Sequence, residues 1–115
     1  MRIGLVALGS RPDQVIAQVQ RAEADGFATV WFTGAIPGDP FVAMTLAARA
    51  TSSIEVGTAV QQTYAAHPLL QAARAIGAAE AIGPSGRFTL GVGPSHRPAI
   101  EGRLGLSYDL SLIHI

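Results

Sequence analysis

The sequence predicts an α/β chain built around a parallel sheet. Short apolar runs at 2–8, 29–33, 54–60 and 87–92 have the length and composition of buried strands. Segments with apolar residues at helical spacing separate them. Strands alternating with helices imply parallel neighbours joined by right-handed crossovers. Two architectures satisfy this order, a doubly wound sheet and part of a (β/α)8 barrel.

Each element has a local reason. Arg2-Ile3-Gly4-Leu5-Val6-Ala7-Leu8 is apolar enough for a strand covered on both faces. Ser10, Pro12 and Asp13 form a helix start, Val15, Val19 and Ala22 define its buried face, and Gly26 ends it. Thr29-Val30-Trp31-Phe32-Thr33 is β-branched and aromatic, hence a second strand. After a loop at 34–38, Asp39 caps a helix with Pro40 in its first turn and Val42, Met44, Leu46 and Ala47 along it. That helix fades at Thr51-Ser52-Ser53, and the third strand runs from Ile54 to Val60. A loop at 61–66 leads to His67-Pro68, which opens a third helix expected to bury Leu69, Leu70, Ala73 and Ile76. Gly83-Pro84-Ser85-Gly86 is a turn before the fourth strand, 87–92.

Composition excludes several functions. At 115 residues the chain holds one core, and 49% hydrophobic against 14% charged residues argues against disorder. Eight basic residues balance eight acidic ones without a basic block, so no nucleic-acid partner is expected. The chain has no Cys, which removes disulfides and Cys-based zinc sites, and its three scattered His form no metal constellation. The apolar N-terminus stops at Ser10-Arg11-Pro12, too soon for a signal peptide, and no stretch is long enough to span a bilayer. The expectation is a soluble, cytoplasmic domain acting on a small molecule. Leu8-Gly9-Ser10-Arg11 lacks the G-x-G-x-x-G dinucleotide fingerprint, and Gly91-Val92-Gly93 begins one that His96 breaks.

The chain resembles the luciferase-like superfamily of (β/α)8 barrels, and within it the coenzyme F420-dependent oxidoreductases. The resemblance rests on Ala22-Glu23-Ala24-Asp25-Gly26-Phe27 leading to Val30-Trp31-Phe32, on Asp39-Pro40-Phe41, and on the run from Thr51 to Val60. It continues through His67-Pro68, Gly86-Arg87-Phe88-Thr89-Leu90-Gly91-Val92-Gly93 and Ser95-His96-Arg97-Pro98 to Leu104-Gly105-Leu106-Ser107-Tyr108. It implies the N-terminal half of a TIM barrel over residues 1–109, with four parallel strands and three helices. Residues 110–115, Leu-Ser-Leu-Ile-His-Ile, match what a common transposon-based sequencing adapter encodes, and are read as a non-native tail rather than a terminal strand.

The resemblance also implies a site at the C-terminal ends of the strands. Gly57, Thr58, Ala59 and Val60 would back a deazaflavin ring, with a non-prolyl cis peptide at Ala59–Val60. Thr33 would meet its polar edge, and Gly93 and Ser95 would complete the cofactor contacts. Similar enzymes often place an Asp or His just after the second strand, where Gly34 and Ala35 stand here. His96 is the candidate catalytic residue, able to exchange a proton near neutral pH, its alternative being a loop histidine bonded to backbone. Trp31 reads as barrel packing, Arg97 as a surface residue before an anion binder, and His67 as a helix-start residue. The expected cofactor is coenzyme F420, transferring hydride to or from a small organic substrate, with reduced FMN and monooxygenase chemistry as the alternative. A non-catalytic α/β binding domain is the reading outside enzymes. A homodimeric full-length parent stays open.

Overall fold

In a computed structural model, residues 1–9, 11–34 and 38–109 are described. Ser10, part of the expected first helix start, and the tail 110–115 lie outside them. The elements are β1 (Gly4–Val6), α1 (Pro12–Ala24), β2 (Thr29–Phe32), α2 (Pro40–Arg49) and β3 (Glu55–Thr58), followed by β4 (Gln61–Gln62) and α3 (Pro68–Ile82). The chain then runs through β5 (Phe88–Thr89), β6 (Val92–Gly93) and α4 (Arg97–Leu104). The main sheet has the order β1-β2-β3-β5, all parallel, with Leu5 opposite Val30, Val30 opposite Val56, and Val56 opposite Phe88. This is the sequential strand order of a half barrel, not the reversed order of a doubly wound sheet.

Two local differences from the sequence reading matter. The fourth strand is broken at Leu90-Gly91, and its second piece, β6, pairs in parallel with β4, which follows a bulge after β3. A fourth helix, α4, follows β6, where three helices were expected; Pro98 stands in its first turn and Gly105 ends it at φ 64°.

The helix-facing side of the sheet forms the core. Val30 and Phe32 of β2, Ile54 just before β3 and Val56 within it meet Val15, Val19 and Ala22 of α1 and Met44, Ala47 and Ala48 of α2. Each large side chain buried this way stabilises the fold by about 1.5–3 kcal/mol. On the opposite face Trp31 spreads across its neighbours: a Cβ on Gly57 would lie 2.6 Å from the indole ring, and one on Gly4 would lie 3.1 Å from its Nε1. Trp31 therefore packs the barrel interior, and the two glycines make room for it.

α3 corrects one expectation. It buries Ala75, Ala78 and Ile82, while Leu69, Leu70 and Ile76 are more than half exposed. Ala73 is exposed as well, and the face that joins the core is Ala75, Ala78 and Ile82. The expected starts of α2 and α3 hold: Asp39 Oδ1 accepts from Phe41 N at 2.9 Å, and His67 Nδ1 accepts from Leu69 N at 3.2 Å, whereas α1 starts at Pro12 after Arg11 without a side-chain cap bond.

The N-terminal end of the sheet is tied by two charged side chains acting on one turn. The Glu23 carboxylate accepts the N–H groups of Ser52, Ser53 and Ile54 at 2.6–3.2 Å. The Arg87 guanidinium donates to the carbonyls of Ala48 and Ile54, both at 3.1 Å. One collects donors and the other acceptors left over where α2 ends, and together with the buried Ile54 side chain they fix the connection into β3.

Candidate functional site

The opposite, C-terminal ends of the strands carry most of the residues expected to form a site. The chain leaves β3 through a bulge at Ala59 and Val60, both exposed, and their peptide bond is cis, as the resemblance implied. The bulge is pinned from both sides. Ala59 N donates to Phe32 O at 2.8 Å and Gly34 N donates to Val60 O at 3.0 Å, tying it to the end of β2. Gln61 N donates to Gly91 O at 2.8 Å and Thr63 N to Gly93 O at 2.9 Å, tying it to the broken fourth strand. The result is a small, rigid apolar ledge at the strand ends.

Glycines allow the ledge to sit this close to its neighbours. A Cβ at Gly34 would lie 2.8 Å from Val60 O, and one at Gly93 would lie 2.8 Å from Val60 Cγ2. At Gly91 a Cβ would run into the carbonyl of Thr58. Glycine at 34 thus has a steric reason: backbone from the bulge occupies the space a side chain would need.

The other expected residues divide. Thr58 is 1% exposed, and its hydroxyl donates to Gly91 O at 2.8 Å and accepts from Gly91 N at 3.0 Å. It locks the ledge to the fourth strand, so its hydroxyl proton is committed to the backbone. Gly57 lies one residue deeper, beneath Trp31, and contributes to the barrel interior. Thr33 is exposed at the end of β2. Gly93 ends β6 beside Val60, which brings Ser95 and His96 to the same end of the sheet.

Ser95 has φ 64°, the only positive value among described residues other than glycine, and its carbonyl accepts from Tyr108 Oη at 3.1 Å. His96 is exposed at the N-terminus of α4, with Nδ1 3.5 Å from Ser95 Oγ. Its carbonyl, not its ring, accepts from Ala99 and Ile100, so the imidazole is not consumed in capping the helix. Arg97 pairs with Glu101 at 2.7 Å and lies over the Tyr108 ring, in keeping with the surface reading.

Two features went unread in the sequence. Tyr64 stacks on Tyr108 at 5.6 Å, and its hydroxyl donates to the carbonyl of Asp109 and accepts from its N–H, joining the loop before α3 to the segment after α4. Gln61 was placed in a loop but is 4% exposed, and its side-chain oxygen has no hydrogen-bond partner. Neither carries a strong sequence signal, because each depends on contacts that the bulge creates.

Parallel strands in barrel order, with a glycine-cradled ledge and polar groups at their C-terminal ends, define half of a (β/α)8 barrel. The chain belongs to the luciferase-like monooxygenase family, whose model matches residues 2–112. It is 32% identical over 114 residues to a 5,10-methylenetetrahydromethanopterin reductase of Methanolobus tindarius, covering 97% of this chain and 34% of that protein. The coenzyme F420-dependent tetrahydromethanopterin reductase from Methanopyrus kandleri superposes with a TM-score of 0.77 at 27% identity, covering 94% of this chain and 30% of that one. A type II Baeyer–Villiger monooxygenase, the oxygenating constituent of 3,6-diketocamphane monooxygenase from Pseudomonas putida in complex with FMN, superposes with a TM-score of 0.78. Its identity is 19%, over 92% of this chain and 33% of that one, so it shares the fold. The chain spans about a third of the length of the relatives it matches.

The residues present fit a flat ring such as a deazaflavin or flavin. The ledge exposes the apolar side chains of Ala59 and Val60, the flanking glycines add no bulk around it, and a buried amide oxygen lacks a partner beside it.

Proposed function

We propose that this chain is the ring-binding half of an oxidoreductase that moves hydride between coenzyme F420 and a small organic substrate. The observation that carries this reading is the ledge itself: exposed Ala59 and Val60, pinned by four backbone bonds and bordered by Gly34 and Gly93. A preformed, mostly apolar surface with few polar groups is what a planar cofactor requires. The structure from M. kandleri, named as coenzyme F420-dependent, supports the deazaflavin over the flavin, and the relative from M. tindarius is likewise named as a tetrahydromethanopterin-type reductase.

When bound, a 5-deazaflavin supplies two-electron hydride chemistry, because carbon replaces the flavin N5. The protein's own contribution is positional. Ala59 and Val60 would support one face of the ring, and Thr33 and Ser95 would offer hydroxyls to its polar edge. His96, with its ring uncommitted to capping, would hold or release a proton at the substrate. Reduced FMN with oxygen is the second reading, favoured by the description of the matching family model.

The test is cofactor choice in the full-length gene product. F420 should bind with a spectral change and exchange hydride without oxygen uptake. Oxygen consumption with reduced FMN, and no response to F420, would select the second reading. Failure to bind either ring would reject both.

A further inference from the structure

We propose that the Gln61 carboxamide recognises the N–H of the cofactor's pyrimidinedione edge. This rests on the ring-binding reading above and names a residue within it. Gln61 begins β4, directly after the ledge, and is 4% exposed. Its Oε1 is closed off from solvent and accepts no hydrogen bond. It sits beside Gly34, 3.2 Å from where a Cβ there would be.

Among the described residues, the neighbouring backbone donors are committed elsewhere. Gly34 N is given to Val60 O, Gly91 N to Thr58 Oγ1, and Gln61 N to Gly91 O. A buried acceptor without a donor is costly, and a side chain needed only to fill this space would be apolar. The amide is therefore placed for a donor that arrives from outside the chain. To meet that donor the amide would turn about its own side-chain torsions toward the strand ends, where Ala59 and Val60 are exposed.

The chemistry of the ring supplies the complement. Flavins and 5-deazaflavins share a pyrimidinedione with one ring N–H between two carbonyls. A carboxamide can accept from that N–H and donate to an adjacent carbonyl in one plane. The atom that distinguishes the two cofactors lies elsewhere in the ring. Gln61 would thus orient either cofactor and leave the choice of reaction to other groups.

The experiment titrates the full-length protein with F420, FMN and N3-methyl-FMN, following absorbance and fluorescence. The native protein should bind N3-methyl-FMN ~10–100-fold more weakly than FMN, as expected for a site left with an unpaired polar group. Gln61→Met should weaken F420 and FMN by a similar factor and no longer distinguish FMN from its methylated form. Its melting temperature without ligand should not fall, because no protein hydrogen bond from Oε1 is lost.

Equal affinity of the native protein for FMN and N3-methyl-FMN would overturn the proposal and leave the ring-binding reading intact. So would unchanged F420 affinity in a folded Gln61→Met protein. If that variant fails to fold, the comparison of the two flavins on native protein decides alone. If the native protein binds none of the three rings, this proposal and the ring-binding reading fall together.

Discussion

Glu23 is a single carboxylate on which a whole connection depends. Its pKa is lowered to about 2, chiefly by the N–H of Ser53, against partial burial that pushes it up, with further help from the N–H groups of Ile54 and Ser52 and the Ser53 hydroxyl. A folded-state value below the unfolded one adds stability that is complete above the ordinary carboxylate range and is lost as pH falls toward about 2. Glu23→Ala should therefore cost about 1–2 kcal/mol in urea denaturation at neutral pH. The difference from native protein should shrink steadily as the pH is lowered from 5 toward about 2. A constant difference across that range would remove the carboxylate's charge from the explanation. At the other end of the sheet, Ala59→Leu adds bulk to the exposed ledge and should weaken F420 binding about tenfold or more, since overpacking a fitted surface costs about 1–3 kcal/mol. Unchanged affinity in a folded variant would take the ledge out of the site. His96→Gln should lower turnover by about 10²–10⁴-fold and flatten its pH profile while leaving F420 affinity unchanged. Glu23 stands in the Ala22–Phe27 run that marks the family, yet its task is invisible in sequence. Its partners lie 29–31 residues away and are joined to it only by the fold.

At the level of elements, apolar runs with clear boundaries were legible and the bonds between their ends were not. The four strand positions and the caps at Asp39 and His67 follow from composition and local chemistry. The break of the fourth strand does not, because it is set by Thr58 bonding both backbone groups of Gly91 across the sheet. Thr58→Val keeps the shape and removes those bonds. It should destabilise the fold by about 1–3 kcal/mol and loosen the ledge, read as weaker cofactor binding together with a lower melting temperature. A variant as stable as native would mean that Gly91 finds other partners. In α3 the bulky row looks like a core face by periodicity, but the face turned to the core is Ala75, Ala78 and Ile82, a choice set by tertiary packing and not by the helix alone. For α4 the boundary signals are present, in Pro98 near its start and Gly105 at its end, but with Ile100 as its one buried residue it has no apolar stripe to announce a helix.

Across the whole molecule, the main sheet has two open edges, β1 and β5, where a complete barrel has none. Val6, Leu8 and Val92 are each more than half exposed near these edges. Expressed as the 115-residue chain, the protein should self-associate or lose fixed tertiary packing, checked by sedimentation and near-UV CD. A rigid monomer that binds F420 at micromolar concentration would contradict this. The open sheet also has a consequence in time. On a ribosome adding ~5–20 residues per second, the remaining two thirds of a family member of ordinary length takes on the order of tens of seconds to appear. The edge at β5 can pair as the next strand emerges, but β1 must wait for the last one, so the exposure to wrong edge-to-edge pairing is longest at the N-terminal strand.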